Sequence, residues 1–191
     1  MSNIGEEITG FYLEAIKGCS FVQYNLYTHK GQSGGPQGEI DVVGINLEKN
    51  IIYVCEVAIH LTTGLFYVNP TTKRPDPERI FRKFDKDIEY AKHKFPDYER
   101  VYMLWSPIVK SSRPSAKHDQ LKSLLEVQSQ IKLKHDVELD LIINQRYKDC
   151  LEELKQYTTR RTEEIKSTVG RLFQLEAYLD KYLASQNNDP S

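Results

Sequence analysis

Asp41 and Glu56 are the residues of this chain best placed to do chemistry, because each carboxylate lies in an apolar segment. Asp41 is flanked by Ile40, Val42 and Val43, and Glu56 directly follows a five-residue apolar run. Burying two carboxylates close together is costly unless a cation balances their charge. Mg²⁺ suits such a pair, since it takes one or two carboxylates, a carbonyl and several waters. The pair predicts a divalent-cation site, and two solvated carboxylates at a strand edge are the alternative.

The residues that follow Glu56 extend this candidate site. Alternate side chains of an extended strand share a face, so Glu56, Ala58 and His60 are expected to point the same way. A histidine in that position can contact a phosphate or act as a base. A surface histidine with no catalytic role is the alternative.

The first third of the chain predicts a helix followed by a three-stranded meander. Apolar residues at helical spacing indicate a helix over residues 5–17, and Gly18 follows as its C-terminal cap. Four glycines and a proline predict a flexible loop over residues 29–38. Runs of β-branched and aromatic residues predict strands over residues 20–27, 40–45 and 51–61.

The middle of the chain predicts alternating helices and strands after an irregular segment at residues 62–75. Asp76 and Pro77 indicate an N-cap and the first position of a helix that ends near residues 95–96. The residues expected to face inward from this helix are Ile80, Phe84, Ile88 and Ala91. Strands are predicted over residues 101–105 and 137–143, with a helix from Ser115 to about residue 132. The expected fold class is α/β, with a mixed central sheet flanked by helices.

The C-terminal region predicts a long helical element. Residues 147–184 contain no proline and one glycine, so a single helix of about 37 residues and 55 Å fits. The apolar residues follow an interrupted heptad, which suits an antiparallel hairpin of two shorter helices or packing on a second subunit. Self-association is expected, and a helix folded over its own domain is the alternative. Two parts are predicted: an α/β domain over residues 1–146 and a helical extension over residues 147–191.

Composition sets limits on the class of protein. The 191 residues, 39% of them hydrophobic, suffice for one sizeable core. The net charge of −1 gives no global basic field, so any affinity for nucleic acid must come from a local patch. The three cysteines, Cys19, Cys55 and Cys150, predict buried reduced thiols rather than a disulfide framework. No signal peptide or membrane span is evident, so a soluble cytoplasmic protein is expected.

Gly-Glu-Ile-Asp-Val-Val-Gly at residues 38–44, with Glu56 fourteen intervening residues beyond Asp41, resembles the core of the PD-(D/E)xK nuclease superfamily, the restriction-endonuclease-like fold. Within this superfamily, the Holliday-junction resolvases of archaea and their bacterial relatives are the most similar in the order of their motif residues. They have a helical glutamate, a glycine eleven residues later, and then the two strands that carry the acids. Gly18 follows Glu7 by eleven residues, which selects Glu7 over Glu6. The helical wheel agrees, since it places Glu7 beside the apolar stripe and Glu6 opposite. The resemblance covers roughly residues 5–60, with weaker topological support to about residue 143.

The resemblance implies a set of roles. Asp41 and Glu56 would hold Mg²⁺, for which Mn²⁺ would substitute, together with the carbonyl of Val57 and with Glu7 directly or through water. The metal would activate water for attack on a phosphodiester of duplex or branched DNA. The implied protein is a homodimeric DNA endonuclease of restriction or anti-phage defence. A non-catalytic nucleic-acid-binding or assembly subunit with the same fold is the alternative.

Ala58 departs from the family pattern, which has a lysine two residues after the glutamate. Three explanations are open: an engineered lysine-to-alanine substitution, a lysine that has moved to a neighbouring helix as Lys83 or Lys86, or a natural protein that binds without cutting. The engineered substitution is the preferred hypothesis, because all three carboxylates remain.

Basic and amide side chains near the predicted site are candidates for phosphate or base contacts. A solvated face of mixed charge is the alternative for those on the helix after residue 76. The candidates are Lys30, Gln37, Lys73, Arg74, Arg79, Arg82, Lys83, Lys86, Lys110 and Arg113.

Overall fold

The structure, a computed structural model, describes residues 3–30, 36–65, 76–112 and 119–187. In these ranges the elements are, in order, α1 (Ile4–Ala15), β1 (Phe21–Lys30), β2 (Pro36–Asn46), β3 (Ile51–Val57), α2 (Glu78–Lys94), β4 (Glu99–Ser106), α3 (Gln120–His135), β5 (Leu139–Ile143), α4 (Asn144–Thr159) and α5 (Thr168–Asn187). No helix within these ranges is both long enough and apolar enough to cross a membrane.

The five strands form one mixed sheet in the order β1-β2-β3-β4-β5. The first three strands pair antiparallel, and β3, β4 and β5 pair parallel. Each parallel step requires a crossover, which α2 supplies between β3 and β4 and α3 supplies between β4 and β5. The predicted α/β class, with a mixed sheet flanked by helices, is confirmed.

Two apolar clusters lie on the two faces of the sheet. Ile52 and Val54 of β3 point toward α2 and α3, where they join Phe84 and Ile131. The alternate residue Cys55 points the other way, toward a cluster that α1, α4 and α5 cover and that includes Trp105. The inward positions predicted for α2 are confirmed, since Ile80, Phe84, Ile88 and Ala91 are all buried. The three cysteines are buried free thiols, as predicted.

Helix α1 lies close against the sheet. A capping box between Asn3 and Glu6 begins the helix, and Gly18 follows its end with a φ of +67°, a conformation that favours glycine. Gly44 of β2 allows the close approach, because a Cβ there would lie 2.8 Å from Leu13 of α1. The predicted helix and its terminal glycine are confirmed.

The first hairpin is longer than predicted. Strand β1 continues through Lys30 and β2 begins at Pro36, so most of the described part of the predicted loop is paired strand. By contrast, β3 ends at Val57 rather than residue 61. The chain turns there, with the Gly64 amide donating to the His60 carbonyl at 2.9 Å and Gly64 at a φ of +74°.

The helix cap predicted at Asp76 is wrong. Pro77 is the N-cap of α2 and makes no side-chain capping bond, while the Asp76 carboxylate accepts from Arg82 at 3.0 Å. Helix α3 is capped by Asp119, whose carboxylate accepts from the Lys122 amide at 2.8 Å. The cap predicted at Ser115 lies outside the described residues.

The C-terminal region forms two helices, so the single long helix is wrong and the alternative of two shorter helices is confirmed. Helices α4 and α5 pack against each other and are separated by residues 160–167. The buried Gln174 side chain holds this connection by donating to the carbonyls of Arg161 and Glu163. Tyr147 and Leu154 of α4 share the apolar cluster of Trp105, which ties these helices to the sheet.

Phe84→Ala should destabilise the fold strongly, because Phe84 is fully buried between α2 and the sheet. We expect a loss of about 3–5 kcal/mol in the free energy of unfolding, measured by urea denaturation. Phe21→Ala is the matched control, because Phe21 is 64% exposed on β1 and should cost less than about 1 kcal/mol. Equal losses for the two variants would contradict this packing.

Candidate active site

The two predicted acids lie opposite each other on neighbouring strands. The antiparallel register pairs Val43 with Val54, and two residues further along it places Asp41 opposite Glu56. The regular pairing stops short of this point at Val42 and Cys55. There the Asp41 Oδ2 atom accepts a hydrogen bond from the Val57 amide at 2.7 Å. The Asp41 side chain is therefore fixed to the end of β3.

Lys83 of α2 places its ammonium group between the two carboxylates. The Nζ atom lies 3.0 Å from Asp41 Oδ1 and also forms an ion pair with Glu56 Oε2. Glu56 is almost wholly buried, with 2% of its side chain exposed, whereas Lys83 is 32% exposed. Lys83 precedes the buried Phe84 and so lies beside the inward face of α2. The cluster thus extends from the protein interior to the surface.

Asp87, one helical turn beyond Lys83, is a third buried acid at the site. It is 2% exposed and lies within hydrogen-bonding reach of Glu56. Among the described residues, no hydrogen-bond partner reaches Asp87 Oδ2 or Glu56 Oε1. Two adjacent carboxylates repel each other unless one keeps its proton or a cation lies nearby. The Glu56 and Asp87 pair therefore needs either a shared proton or more positive charge than Lys83 supplies.

The pKa values at the site follow from this shortage of charge. Burial raises the pKa of Glu56 well above its usual value. The Lys83 ammonium opposes this rise, and the negative charges of Asp41 and Asp87 add to it. Burial also raises the pKa of Asp87, to about 7, although the Glu56 hydrogen bond and Lys83 oppose the rise. Burial alone would lower the pKa of Lys83, but Glu56 and Asp41 raise it above its usual value. At neutral pH the lysine is charged and the two buried acids can share a proton.

The acids of α1 are arranged differently from the prediction. Glu6 is buried, with 6% exposed, and its carboxylate accepts from the Asn3 amide at 3.1 Å. Burial raises the pKa of Glu6, the Asn3 hydrogen bond opposes this, and the charge of Asp41 raises it further. The expectation that Glu6 faces away from the apolar side is wrong, because the start of α1 lies against Val57 and Ile59. Glu7 is half-buried, and its predicted role at the metal stays a prediction.

Ala58 is buried where the family pattern has a lysine. Its amide donates to the Trp105 carbonyl at 2.9 Å, and its carbonyl accepts from the Ser106 hydroxyl at 2.9 Å. His60 is exposed and lies past the end of β3, so the strand alternation that aligned it with Glu56 does not apply. A catalytic role for His60 stays a prediction.

Several predicted phosphate contacts already have partners within the protein. Arg82 pairs with Asp76, and Lys110 donates to the Thr62 carbonyl at 2.6 Å. Arg79 and Lys86 are exposed on α2, beside Lys83. Lys73, Arg74, Arg113 and the side chains of Lys30 and Gln37 lie outside the described residues.

The predicted metal ligands are assembled only in part. Among the described residues, no group of three or more histidine, cysteine, aspartate or glutamate side chains is arranged to hold a metal. Asp41 and Glu56 still offer two carboxylates, which with waters meet the usual needs of Mg²⁺. No donor among the described residues reaches Glu56 Oε1, which leaves room there for a further cation or for a proton shared with Asp87.

Comparison of the chain with protein-family models, with curated proteins and with solved structures finds no match. The site must therefore be interpreted from its own geometry. Lys83 was one of two lysines predicted to replace a strand lysine, whereas Asp87 was missed. The sequence signal was an acid four residues after Lys83, within the stripe of Ile80, Phe84, Ile88 and Ala91.

Asp87→Asn should remove a pH dependence of stability. Because the pKa of Asp87 is raised from 3.8 to about 7, the folded chain retains a proton in this interval that the unfolded chain has released. The stabilisation is therefore present at low pH and is lost as the pH rises through about 7. Asparagine keeps the shape and does not ionise. Between about pH 5 and pH 8 we expect the variant to gain roughly 1 kcal/mol or more relative to the wild type, by urea denaturation.

Asp180→Asn provides the control, because Asp180 is exposed on α5. Its unfolding free energy should follow that of the wild type at both pH values. If the unfolding free energy of Asp87→Asn also follows that of the wild type at both pH values, Asp87 is ionised in the folded chain and does not share a proton with Glu56.

Proposed function

We propose that this chain is a divalent-metal-dependent DNA endonuclease of the PD-(D/E)xK type, with a restriction-endonuclease-like fold, whose catalytic lysine comes from α2. The contact of the Lys83 ammonium with both Asp41 and Glu56 carries the proposal. The order of a helix, three antiparallel strands and a crossover helix, with acids on β2 and β3, supports it.

Each residue of the site has a task in phosphodiester hydrolysis. Asp41 and Glu56 would hold Mg²⁺ or Mn²⁺, and the bound ion would supply Lewis-acid polarisation of the phosphate and lower the pKa of a bound water. The Val57 amide keeps the Asp41 carboxylate in place. The Lys83 ammonium is partly exposed, so it can turn toward the phosphate and stabilise the negative charge that develops there. Asp87 holds a proton next to Glu56 and limits the repulsion between the acids.

In this proposal Ala58 is neither an engineered change nor a sign of lost activity. Lys83 reaches from α2 to the same carboxylates that a strand lysine would serve. The Ala58 position is buried, and both backbone groups are used by β4. A lysine there would bring a second ammonium toward Lys83, and like charges repel.

The substrate we propose is duplex or branched DNA, and the setting is restriction or anti-phage defence in the cytoplasm. Arg79 and Lys86 lie on the same helix as Lys83 and can contact phosphates on either side of the scissile bond. These contacts are local, in keeping with a net charge of −1.

A non-catalytic DNA-binding or assembly protein is the second candidate. The absence of a three-ligand metal group among the described residues favours it, as does the neutralisation of Asp41 and Glu56 by Lys83. The three residues would then form a structural ion-pair cluster, and the protein would bind DNA without cutting it.

Lys83→Met should abolish cleavage. We expect the wild type to cut at least one of a labelled set of linear duplex, four-way junction and single-stranded DNA with Mg²⁺ but not with EDTA. The variant should lose about 100-fold or more in rate, because charge stabilisation at the phosphate is lost. Circular dichroism checks that it folds, and Lys94→Met, at an exposed position at the end of α2, should retain activity.

The double variant Ala58→Lys/Lys83→Met places a lysine just past the end of β3, at the position of the family lysine, and should recover part of the activity. A Lys83→Met variant that cuts as fast as the wild type would refute the assignment of Lys83 as the catalytic lysine. A wild type that binds DNA but cuts none of the forms would favour the second candidate.

A further inference from the structure

Helix α5 has two apolar faces, and only one of them is covered by its own domain. Val169 and Gly170 are buried, and Phe173 packs with them against the cluster of the sheet. The opposite face carries six large apolar side chains that are each between 48% and 61% exposed. We call this the outer stripe: Leu172, Leu175, Tyr178, Leu179, Tyr182 and Leu183.

The outer stripe has the spacing of a coiled-coil seam. Leu172, Leu175, Leu179 and Tyr182 are separated by three, four and three residues, which are the intervals of successive a and d positions. At 100° per residue the centre of these positions lies roughly opposite the centre of the inward residues Val169, Gly170, Phe173 and Gln174. The seam therefore points away from the domain, toward whatever lies outside it.

We propose that the outer stripe pairs with the same stripe of a second copy of this chain, as a parallel two-stranded coiled coil. Charge supports the parallel direction. With Leu172 at position a, Arg171 is at g and Glu176 is at e, five residues later. Parallel strands bring g beside the partner's e, so Arg171 would lie beside Glu176 of the partner subunit twice by symmetry. In the single chain Arg171 pairs with Glu164 at 2.7 Å and Glu176 pairs with Lys155 at 3.3 Å, so the dimer would exchange these exposed ion pairs for the contacts between subunits. An antiparallel pair would not bring these two charges together.

The exposed area suits a dimer of this size. Half-exposed leucine and tyrosine side chains of this number present on the order of 500 Å² of apolar surface per chain. A symmetric pair would bury about 1,000 Å², close to the lower limit for a specific interface. The outer stripe of a second copy of the chain therefore has the length and the spacing needed to cover that of the first.

The proposed dimer leaves the candidate active site open. Asp41, Glu56 and Lys83 lie on the side of the sheet that α2 covers, whereas α5 belongs to the layer on the other side. The inference does not depend on nuclease activity, because the stripe and the acidic cluster share no residue.

The test is the molar mass of the full chain in solution, by light scattering and sedimentation at about 1–100 μM. We expect a dimer for the wild type and a monomer for Leu175→Glu/Leu179→Glu, with an unchanged circular dichroism spectrum. Ala184→Glu is the control for an added negative charge on α5, since it introduces a glutamate at an exposed position away from the seam, and it should stay dimeric. A monomeric wild type, or a dimer that survives the double substitution, would overturn the proposal.

A cysteine at position 186 tests the direction. Gln186 is the next a position, so a parallel dimer brings the two Gln186→Cys side chains together, and mild oxidation should give a covalent dimer. In an antiparallel pair the two positions would be roughly 27 Å apart. Ala184→Cys should cross-link poorly, and the native cysteines are buried. A dimer without cross-linking at position 186 would refute the parallel arrangement.

Discussion

Glu56 imposes the constraint on which this structure depends, because its carboxylate is buried in the middle of the sheet. It lies on β3, the central strand, and 2% of its side chain is exposed. A carboxylate in such a position needs positive charge close by. Lys83 supplies it, and the position of α2 on the sheet must allow this contact while Ile80 and Phe84 pack into the core. Packing and charge therefore select the same placement of the helix.

The same shortage of charge is the basis of the proposed function. A single ammonium contacts two carboxylates, and Asp87 brings a third acid to a place where it has a raised pKa. Such a cluster tolerates, and in the proposed function requires, additional positive charge from a metal ion. The opposite layer, with α1, α4 and α5, leaves α5 free to support self-association without covering the site.

Much of the fold could be predicted from the sequence, because apolar periodicity marks helices and strands directly. The inward face of α2 and the opposition of Asp41 to Glu56 follow from such patterns. The cap predicted at Asp76 is wrong, since equivalent polar residues compete locally for helix termini. Glu6 is buried although the helical wheel places it opposite the apolar stripe. Its burial comes from the tertiary contact of α1 with Val57 and Ile59, which the helical wheel does not contain. The place of Asp87 in the site could not be predicted, because the apolar pattern of α2 does not show which residue of the sheet faces the helix at that position.

Binding of Mn²⁺, followed by electron paramagnetic resonance, tests the central claim most directly. The account predicts one bound ion per chain in the wild type, and loss of that ion in Glu56→Gln, with Glu138→Gln as an exposed control that still binds. Lys83→Met should bind the ion at least as tightly as the wild type, since the competing ammonium is gone. A wild type that binds no ion, or a Glu56→Gln variant that binds as well as the wild type, would contradict the account.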